Sequence, residues 1–470
     1  MRLRLEIHEK QSLAFESPAT EILYGGAAGG GKSHLMRVAA LAWCVAIPGL
    51  QVYLFRRTSP DLFKNHMEGP TGFPALLQPW LAEGTARINY SKGWVEVGTS
   101  RIHLCHCQYE KDVYKYQGAE IHVLLVDELT HFTRTQYVFL RSRVRLGGLE
   151  VPEHLRDRFP RILCASNPGG VGHNWVKAMF VDPAPPMQIW RAAREDGGML
   201  RQYIPARLED NPSLLENDPE YETRLEGLGN PSLVRAMRNG DWNIVSGGMF
   251  DDVWDPAVHV LPPFAPPASW RIDRSLDWGS SKPFSVGWWT ESDGTAPAGD
   301  RPFPRGSLIR IAEWYGWDGK TPNVGCRMSD VDVARGIVER ERAFPWGARV
   351  KPGPADSQIF FAEPGRQSIA DVMAQGGVHW TEADKRPGSR KLGWEAMRRM
   401  LRAAIDRDPD QPHLYVLETC RQFIRTVPVL PRSERDPDDV DTDAEDHVAD
   451  ETRYRIMAPK ASATATSFRI

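Results

Sequence analysis

Gly25-Gly-Ala-Ala-Gly-Gly-Gly31-Lys32-Ser33 follows the apolar run Glu21-Ile-Leu-Tyr24 and leads into a helical pattern over Ser33–Ala46. Inside it, Gly26-x-x-x-x-Gly31-Lys32-Ser33 has the spacing of a phosphate-binding loop between a strand and a helix. Gly26, Gly29, Gly30 and Gly31 let the backbone turn its N–H groups inward without Cβ clashes. The helix that follows offers the positive end of its dipole to the same anion. Lys32 is expected to reach the β- and γ-phosphates of ATP, and Ser33 to coordinate Mg²⁺.

Such a loop needs a second strand that brings carboxylates to the same edge. Val123-Leu-Leu-Val126-Asp127-Glu128 is a buried apolar run ending in two acids. Asp127 is expected to hold Mg²⁺ and Glu128 to polarise the attacking water. Both sit at a strand's carboxyl end, where open α/β sheets bind ligands. Ser166-Asn167 ends a third strand, Arg161–Ala165, and reads as a coupling element near the γ-phosphate. Gln11 is a candidate contact to the adenine edge, equally readable as structural. A cation must neutralise the transition state. Arg56 and Arg57 end the strand Gln51–Phe55, and Arg141, Arg143 and Arg145 form a second run; either set could provide it, in cis or from a neighbouring subunit.

Short β-branched runs alternate with helical patterns through the first half, the signature of a parallel α/β sheet. The texture breaks at Ser246-Gly-Gly and Leu261-Pro-Pro-Phe-Ala-Pro-Pro-Ala. The division expected is a motor domain over 1–245, a linker over 246–271, a second α/β domain over 272–458 and a disordered tail over 459–470. In the second domain Ser275–Asp277, Phe284–Thr290, Ser307–Trp314 and Ala348–Val350 read as strands, and Asp330–Arg342 and Arg390–Ala404 as helices.

With 470 residues, two domains are the natural expectation. A formal net charge of −3 argues against a protein that simply coats nucleic acid, though it is compatible with a local basic channel. Six cysteines suggest a reducing compartment rather than a disulfide framework. Val38–Ile47 is too short to span a bilayer, and no secretory signal is evident, so no membrane role is expected. His103-Leu-Cys105-His106-Cys107 looks like a zinc knot, but strand alternation turns His106 away from the other three. Core packing is the expectation there.

The ordered set resembles the large subunit of tailed-bacteriophage terminases. It comprises Tyr24-Gly-Gly-Ala-Ala-Gly-Gly-Gly-Lys-Ser33, Gln117-Gly118-Ala-Glu120 leading into Leu125-Val-Asp-Glu128-Leu-Thr130, Ala165-Ser-Asn-Pro168, Ile204-Pro205, Asp210-Asn-Pro212, Gly240-Asp-Trp242 and Gly247-Gly-Met-Phe250. The likeness runs from about Ile7 to Ile456. It implies an N-terminal P-loop ATPase of the additional-strand type and a C-terminal RNase H-like nuclease. It further implies double-stranded DNA as substrate, a terminase small subunit and a portal protein as partners, a ring homo-oligomer on a procapsid, and work in the host cytoplasm.

Three separated carboxylates match the metal-binding acids of that nuclease: Asp277 in Arg274-Ser-Leu-Asp277-Trp-Gly279, Asp356 in Lys351-Pro-Gly-Pro-Ala-Asp356-Ser-Gln, and Asp446 in Ala444-Glu-Asp446-His-Val-Ala-Asp450. Asp450, one helical turn on, is a fourth candidate. Two-metal phosphodiester cleavage needs such acids gathered from distant elements, and their hard oxygens suit two Mg²⁺ or Mn²⁺ ions. His447 is a weaker candidate, and Glu313 reads as an exposed strand-end acid. Asp436, Asp438, Asp439, Asp441 and Asp443 read as a solvated loop, with Asp439 and Asp441 kept as alternative ligands. The competing function is a P-loop helicase or translocase whose second domain only grips DNA; an inactive structural relative is disfavoured by intact Lys32, Ser33, Asp127 and Glu128.

Overall fold

The computed structural model describes residues 5–227, 234, 238–242, 248–297, 302–362, 364–433 and 435–458. The chain divides into two compact units, Met1–Gly247 and Gly248–Ile470. The tail expected at 459–470 lies outside the described residues.

In the first unit, α1 (Glu9–Glu16) precedes β1 (Glu21–Gly26), and α2 (Lys32–Ala46) follows the glycine loop. Leu35, Met36, Ala39, Ala40 and Trp43 recur at helical spacing and are buried against the sheet. Burial of a side chain such as Leu35 contributes about 1.5–3 kcal/mol. Pro48 follows immediately, and the helix closes with Ile47 N–H donating to the Trp43 carbonyl. Then come β2 (Gln51–Arg56), α3 (Ser59–His66), β3 (Ala86–Asn89), β4 (Trp94–Val97), β5 (Ser100–His106) and β6 (Val123–Asp127). They are followed by α4 (Arg134–Arg141), β7 (Arg161–Ser166), β8 (Ile189–Arg191) and β9 (Leu200–Ala206).

These strands form one sheet in the order β3-β4-β5-β2-β6-β7-β1-β9-β8. The pairs β5·β2, β2·β6, β6·β7, β7·β1 and β1·β9 are all parallel. Strand β7 therefore stands between the phosphate-loop strand β1 and the acid-bearing strand β6. That inserted strand is what defines the additional-strand P-loop fold, and it aligns Gly26, Asp127 and Ser166 along one sheet edge. The segment His103–Cys107 lies on and just past β5, with Cys105 and Cys107 buried and His103 stacked on Tyr53, as core packing required.

In the second unit β10 (Val260–Leu261), β11 (Arg271–Asp277), β12 (Ser285–Glu291), β13 (Leu308–Tyr315), β14 (Val350–Lys351), β15 (Pro354–Ala355), β16 (Thr381–Glu382) and β17 (Leu414–Leu417) share a sheet. Its order is β10-β17-β13-β12-β11-β15-β16, with β14 also on β11. An antiparallel β11-β12-β13 meander, with β15 and β16 added parallel beyond β11, is the RNase H-like arrangement. Helices α5 (Asp330–Ala343), α6 (Ser389–Asp406), α7 (Arg421–Thr426) and α8 (His447–Met457) complete the unit.

Two expectations are corrected here. The segment read as a linker is packed: Met249, Phe250 and Val253 are buried in the second unit's core, and Val260–Leu261 pairs with β17. Its prolines break helices without preventing apolar burial. The strand expected at 348–350 begins only at Val350, because Gly347–Arg349 forms a tight 3-10 turn.

Candidate functional site

The glycine loop is held by side chains from three directions. Gly25, Gly26, Gly29 and Gly31 all take positive φ. At Gly25 a Cβ would lie 2.5 Å from the Ser166 carbonyl oxygen, so that position accepts no side chain; at Gly31 it would displace Gln11 Nε2, 2.5 Å away, from the loop. Gly30 packs on Ala206 and its carbonyl accepts from Tyr24 Oη at 3.0 Å. Asn211 Nδ2 donates to the Gly29 carbonyl at 2.6 Å.

Gln11 is buried, and its amide is engaged at both ends. Nε2 donates to the Gly31 carbonyl at 2.8 Å, and Oε1 accepts from His8 N–H at 2.8 Å. Through these two bonds Gln11 buttresses the loop.

Lys32 bridges the loop and the third strand. Its Nζ donates to the Ala27 carbonyl at 2.7 Å and to Asn167 Oδ1 at 2.6 Å. Burial lowers its pKa, opposed by the nearby Glu128 and Asp127 carboxylates. Ser33 Oγ donates to Asp127 Oδ2 at 3.2 Å, and Arg56 Nε donates to the same oxygen at 3.0 Å. Asp127 is fully buried. Burial alone would raise its pKa, but His66, Arg56 and Lys32 together hold it well below the usual carboxylate range. Its Oδ1 has no partner among the described residues. A buried ionised carboxylate with one bare oxygen beside a serine hydroxyl is a donor set that fits Mg²⁺.

Glu128 has φ 54° and ψ 59°, a left-handed conformation costly for a residue with a Cβ. Its Oε1 lies 3.6 Å from the Arg56 guanidinium. One residue beyond the next position, Thr130 Oγ1 meets Ser166 Oγ at 2.8 Å and donates to the Asn167 carbonyl at 3.1 Å. The ends of β6 and β7 are therefore joined, with Asn167 on Lys32 and Ser166 on Thr130.

The arginine alternatives separate cleanly. Arg56 and Arg57 lie at the loop edge of the sheet, Arg57 donating to the His131 carbonyl and Gln136. Arg141 instead pairs with Glu21 at 3.2 Å, at the opposite end of β1 from the loop. Arg143 is spent on the Gln117 carbonyl and Arg145 faces Glu120 at 3.8 Å. Sequence reading missed His66, which is wholly buried and bonded to Asp127 at 3.0 Å.

In the second unit, β11 ends at Asp277, Asp356 caps the turn after β15, and Asp446 and Asp450 open α8. The Asp356 N–H donates to the Leu276 carbonyl at 2.9 Å, which sets the first two acids side by side. None of the four is more than 7% exposed. Burial pushes the Asp277 carboxyl up to about 6, reinforced by Asp450 and Asp356. Burial likewise lifts Asp446 to about 7, with Asp450 and Asp277 adding. Four negative groups thus crowd one place.

Protein cations sit among them. Lys385 Nζ lies 2.6 Å from Asp356 Oδ1, and Arg390 donates to Asp446 Oδ2 at 3.0 Å and lies 3.7 Å from Asp450. Arg453 donates to Asp450 Oδ1 at 2.7 Å, and His447 Nδ1 stands 3.2 Å from Asp277 Oδ2. Among the described residues, no group of three or more His, Cys, Asp or Glu side chains is arranged to hold a metal ion. The acids expected to form the metal set, Asp277, Asp356, Asp446 and Asp450, converge, and lysine and arginine balance their charge. As a donor set, four crowded carboxylates still suit hard divalent cations.

The weaker candidates also move. His447, ranked low, is in the cluster. Glu313 is not an exposed strand-end acid: its side chain is 8% exposed, pairs with Arg310 at 3.4 Å, and accepts the Gln422 and Phe423 N–H groups opening α7. Asp439, an alternative ligand, accepts from Trp394 and Arg390 instead.

Residues 23–254 match the family model described as terminase large subunit, T4likevirus-type, N-terminal. Among solved structures, the large terminase of the thermophilic bacteriophage D6E in complex with ADP is 15% identical, with 96% of this chain and 98% of that one covered and a TM-score of 0.40. The HK97 bacteriophage large terminase is 11% identical over 96% and 95% of the two chains, with a TM-score of 0.40. The P22 large terminase nuclease domain is 16% identical over 45% of this chain and 92% of that one, with a TM-score of 0.32. No curated protein matches the sequence. No helix among the described residues is long and apolar enough to cross a membrane. The family match over the glycine loop, the Asp127-Glu128 strand and the Ser166-Asn167 turn places this chain among the terminase large subunits.

Proposed function

We propose that the first unit hydrolyses ATP to move double-stranded DNA into a procapsid, and that the second cuts the concatemeric genome. The observation that carries the first half is the convergence of Lys32, Ser33, Asp127, Glu128, Arg56 and Asn167 at one sheet edge. Mg²⁺ would be held by Ser33 and Asp127 Oδ1, and supplies charge neutralisation when bound. Lys32 neutralises phosphate oxygens, Arg56 pairs with Asp127 and lies beside Glu128, and Glu128 orients water for in-line attack. The Asn167–Lys32 and Ser166–Thr130 bonds would pass a change at the phosphates to the neighbouring strand ends.

The nuclease half rests on Asp277, Asp356, Asp446 and Asp450 meeting at the β11 edge. Two Mg²⁺ or Mn²⁺ ions there would activate water and stabilise the leaving oxygen. Lys385 and Arg390 would then turn from carboxylates toward DNA phosphates. A ring of copies working in the host cytoplasm with a portal protein and a small subunit fits this role.

A second reading, a DNA translocase that does not cut, is favoured by the ion pairs that Lys385 and Arg390 make with Asp356 and Asp446. Incubation of the purified chain with plasmid DNA and Mn²⁺, alongside Asp277→Ala, separates the two. DNA-stimulated ATP hydrolysis with cutting lost only in the variant supports the motor-nuclease. Hydrolysis with no cutting by the parent chain leaves the translocase.

A further inference from the structure

His66 lies at the C-terminal end of α3 with no exposed surface. A histidine buried as packing alone would meet backbone or apolar neighbours; this one meets the most buried acid of the nucleotide site. Its Nε2 is 3.0 Å from Asp127 Oδ2, the oxygen that also receives Ser33 Oγ at 3.2 Å and Arg56 Nε at 3.0 Å. An ionised carboxylate only accepts, so His66 carries its proton on Nε2 and donates. All three donors fall on one oxygen. The other, Oδ1, is buried and has no partner among the described residues. Buried polar atoms are nearly always satisfied, so such an oxygen marks where a ligand atom belongs.

The same end of α3 is tied to the loop helix. Arg37, one turn after Ser33 on α2, donates to the Asn65 carbonyl at 2.7 Å and to Thr71 Oγ1 at 3.1 Å. The torsion that turns an aspartate carboxylate is broad and nearly two-fold. Without the donor on the interior side, Ser33 and Arg56 alone would hold Oδ2, and the carboxylate plane would be freer to tilt Oδ1 away from the cation. We infer that His66 is a positioning residue of the nucleotide site, pinning Oδ2 of Asp127 so that Oδ1 faces the divalent cation carried by a nucleoside di- or triphosphate. The inference rests on the ATPase reading above and adds α3 to the machinery.

The test compares the full chain with His66→Gln, whose amide N–H reaches about as far as Nε2, and His66→Leu, which fills the space without donating. ADP-dependent Mn²⁺ binding is read from the electron paramagnetic resonance signal of free Mn²⁺, and metal-free ADP affinity is read separately. His66→Leu should weaken ADP-dependent Mn²⁺ binding by about 10–100-fold, the usual effect of losing a residue that orients a metal ligand, with metal-free ADP affinity kept. His66→Gln should recover most of the loss. Wild-type Mn²⁺ affinity in His66→Leu overturns the inference. So does failure of His66→Gln to recover it, or a parallel loss of metal-free ADP binding. A parent chain that binds Mn²⁺ with ADP but hydrolyses no ATP refutes the ATPase reading and leaves the role of His66 standing.

Discussion

His447 Nδ1 stands 3.2 Å from Oδ2 of Asp277, joining the first residue of α8 to the last residue of β11 across 170 positions of chain. Burial lowers the imidazole pKa, yet the Asp277 bond and the Asp446 charge outweigh it and raise the pKa above its ordinary value. The pair thus neutralises one of four acids that would otherwise repel. Lys385 and Arg390 do the same for the others.

That crowding predicts an opposite effect of Asp277→Asn on stability and on metal binding. Removing one buried negative charge should leave Tm unchanged or raised in chelator. In the parent chain, Mn²⁺ at about 100 times its dissociation constant should add roughly 2.7 kcal/mol of stability, and this gain should vanish in Asp277→Asn. Thermal melts with and without Mn²⁺ check it; an equal Mn²⁺ gain in both proteins would remove Asp277 from the metal set.

At the nucleotide site, Glu128→Gln keeps the shape and removes the base. Steady-state ATP hydrolysis should fall by about 10²–10⁴-fold, the range for a positioned general base, with ADP affinity nearly unchanged. Lys32→Ala should weaken nucleotide binding itself, since its ammonium spans the loop and Asn167. Titration with a fluorescent ADP analogue distinguishes the two losses.

Arg141 separates structure from catalysis. It and Arg201 hold the buried Glu21, at 3.2 and 2.5 Å, at the far end of β1. Arg141→Met should cost about 1–3 kcal/mol by weakening a charged hydrogen bond, while kcat per folded molecule stays at the parent value. Arg56→Met should differ in losing kcat per folded molecule as well as stability, because its guanidinium donates to the buried Asp127 at the nucleotide site. Urea melts and initial rates on the same preparations decide the matter.

Acid should loosen the first unit through His173. Burial drives its pKa from 6.5 down to about 3, with Lys177 adding; Nδ1 accepts the Gly169 N–H and Nε2 donates to the Trp242 carbonyl. Below pH 6.5 the unfolded chain binds a proton that the folded chain refuses. The contribution is therefore complete above pH 6.5 and is lost between pH 6.5 and 3, at about 1.4 kcal/mol per pH unit. His173→Asn cannot titrate, so its stability should fall less steeply over that window. Parallel slopes for the two proteins would assign the acid sensitivity elsewhere.

The glycine loop and the Val123–Glu128 run were legible because each is local: spacing, strand and helix lie within about ten residues. The parallel sheet followed from alternating apolar runs. By contrast, the insertion of β7 between β1 and β6 is a pairing of distant segments, invisible to periodicity. His66 escaped for the same reason, since nothing in Asn65-His66-Met67 announces a partner 61 residues away. The packed 248–261 segment was obscured by prolines that mark a break in regular structure, not the absence of a core.

Sequence alone determined the identities that chemistry requires: a lysine and serine after a glycine loop, paired acids ending a strand, and four aspartates in the second half. Tertiary structure decided which of them face one another. It set Arg141 away from the loop, brought His447 onto Asp277, and placed Lys385 and Arg390 among the aspartates. The reason is physical: residue type fixes what a group can donate, accept or ionise, whereas burial and neighbouring charge are set by segments the chain brings together only on folding.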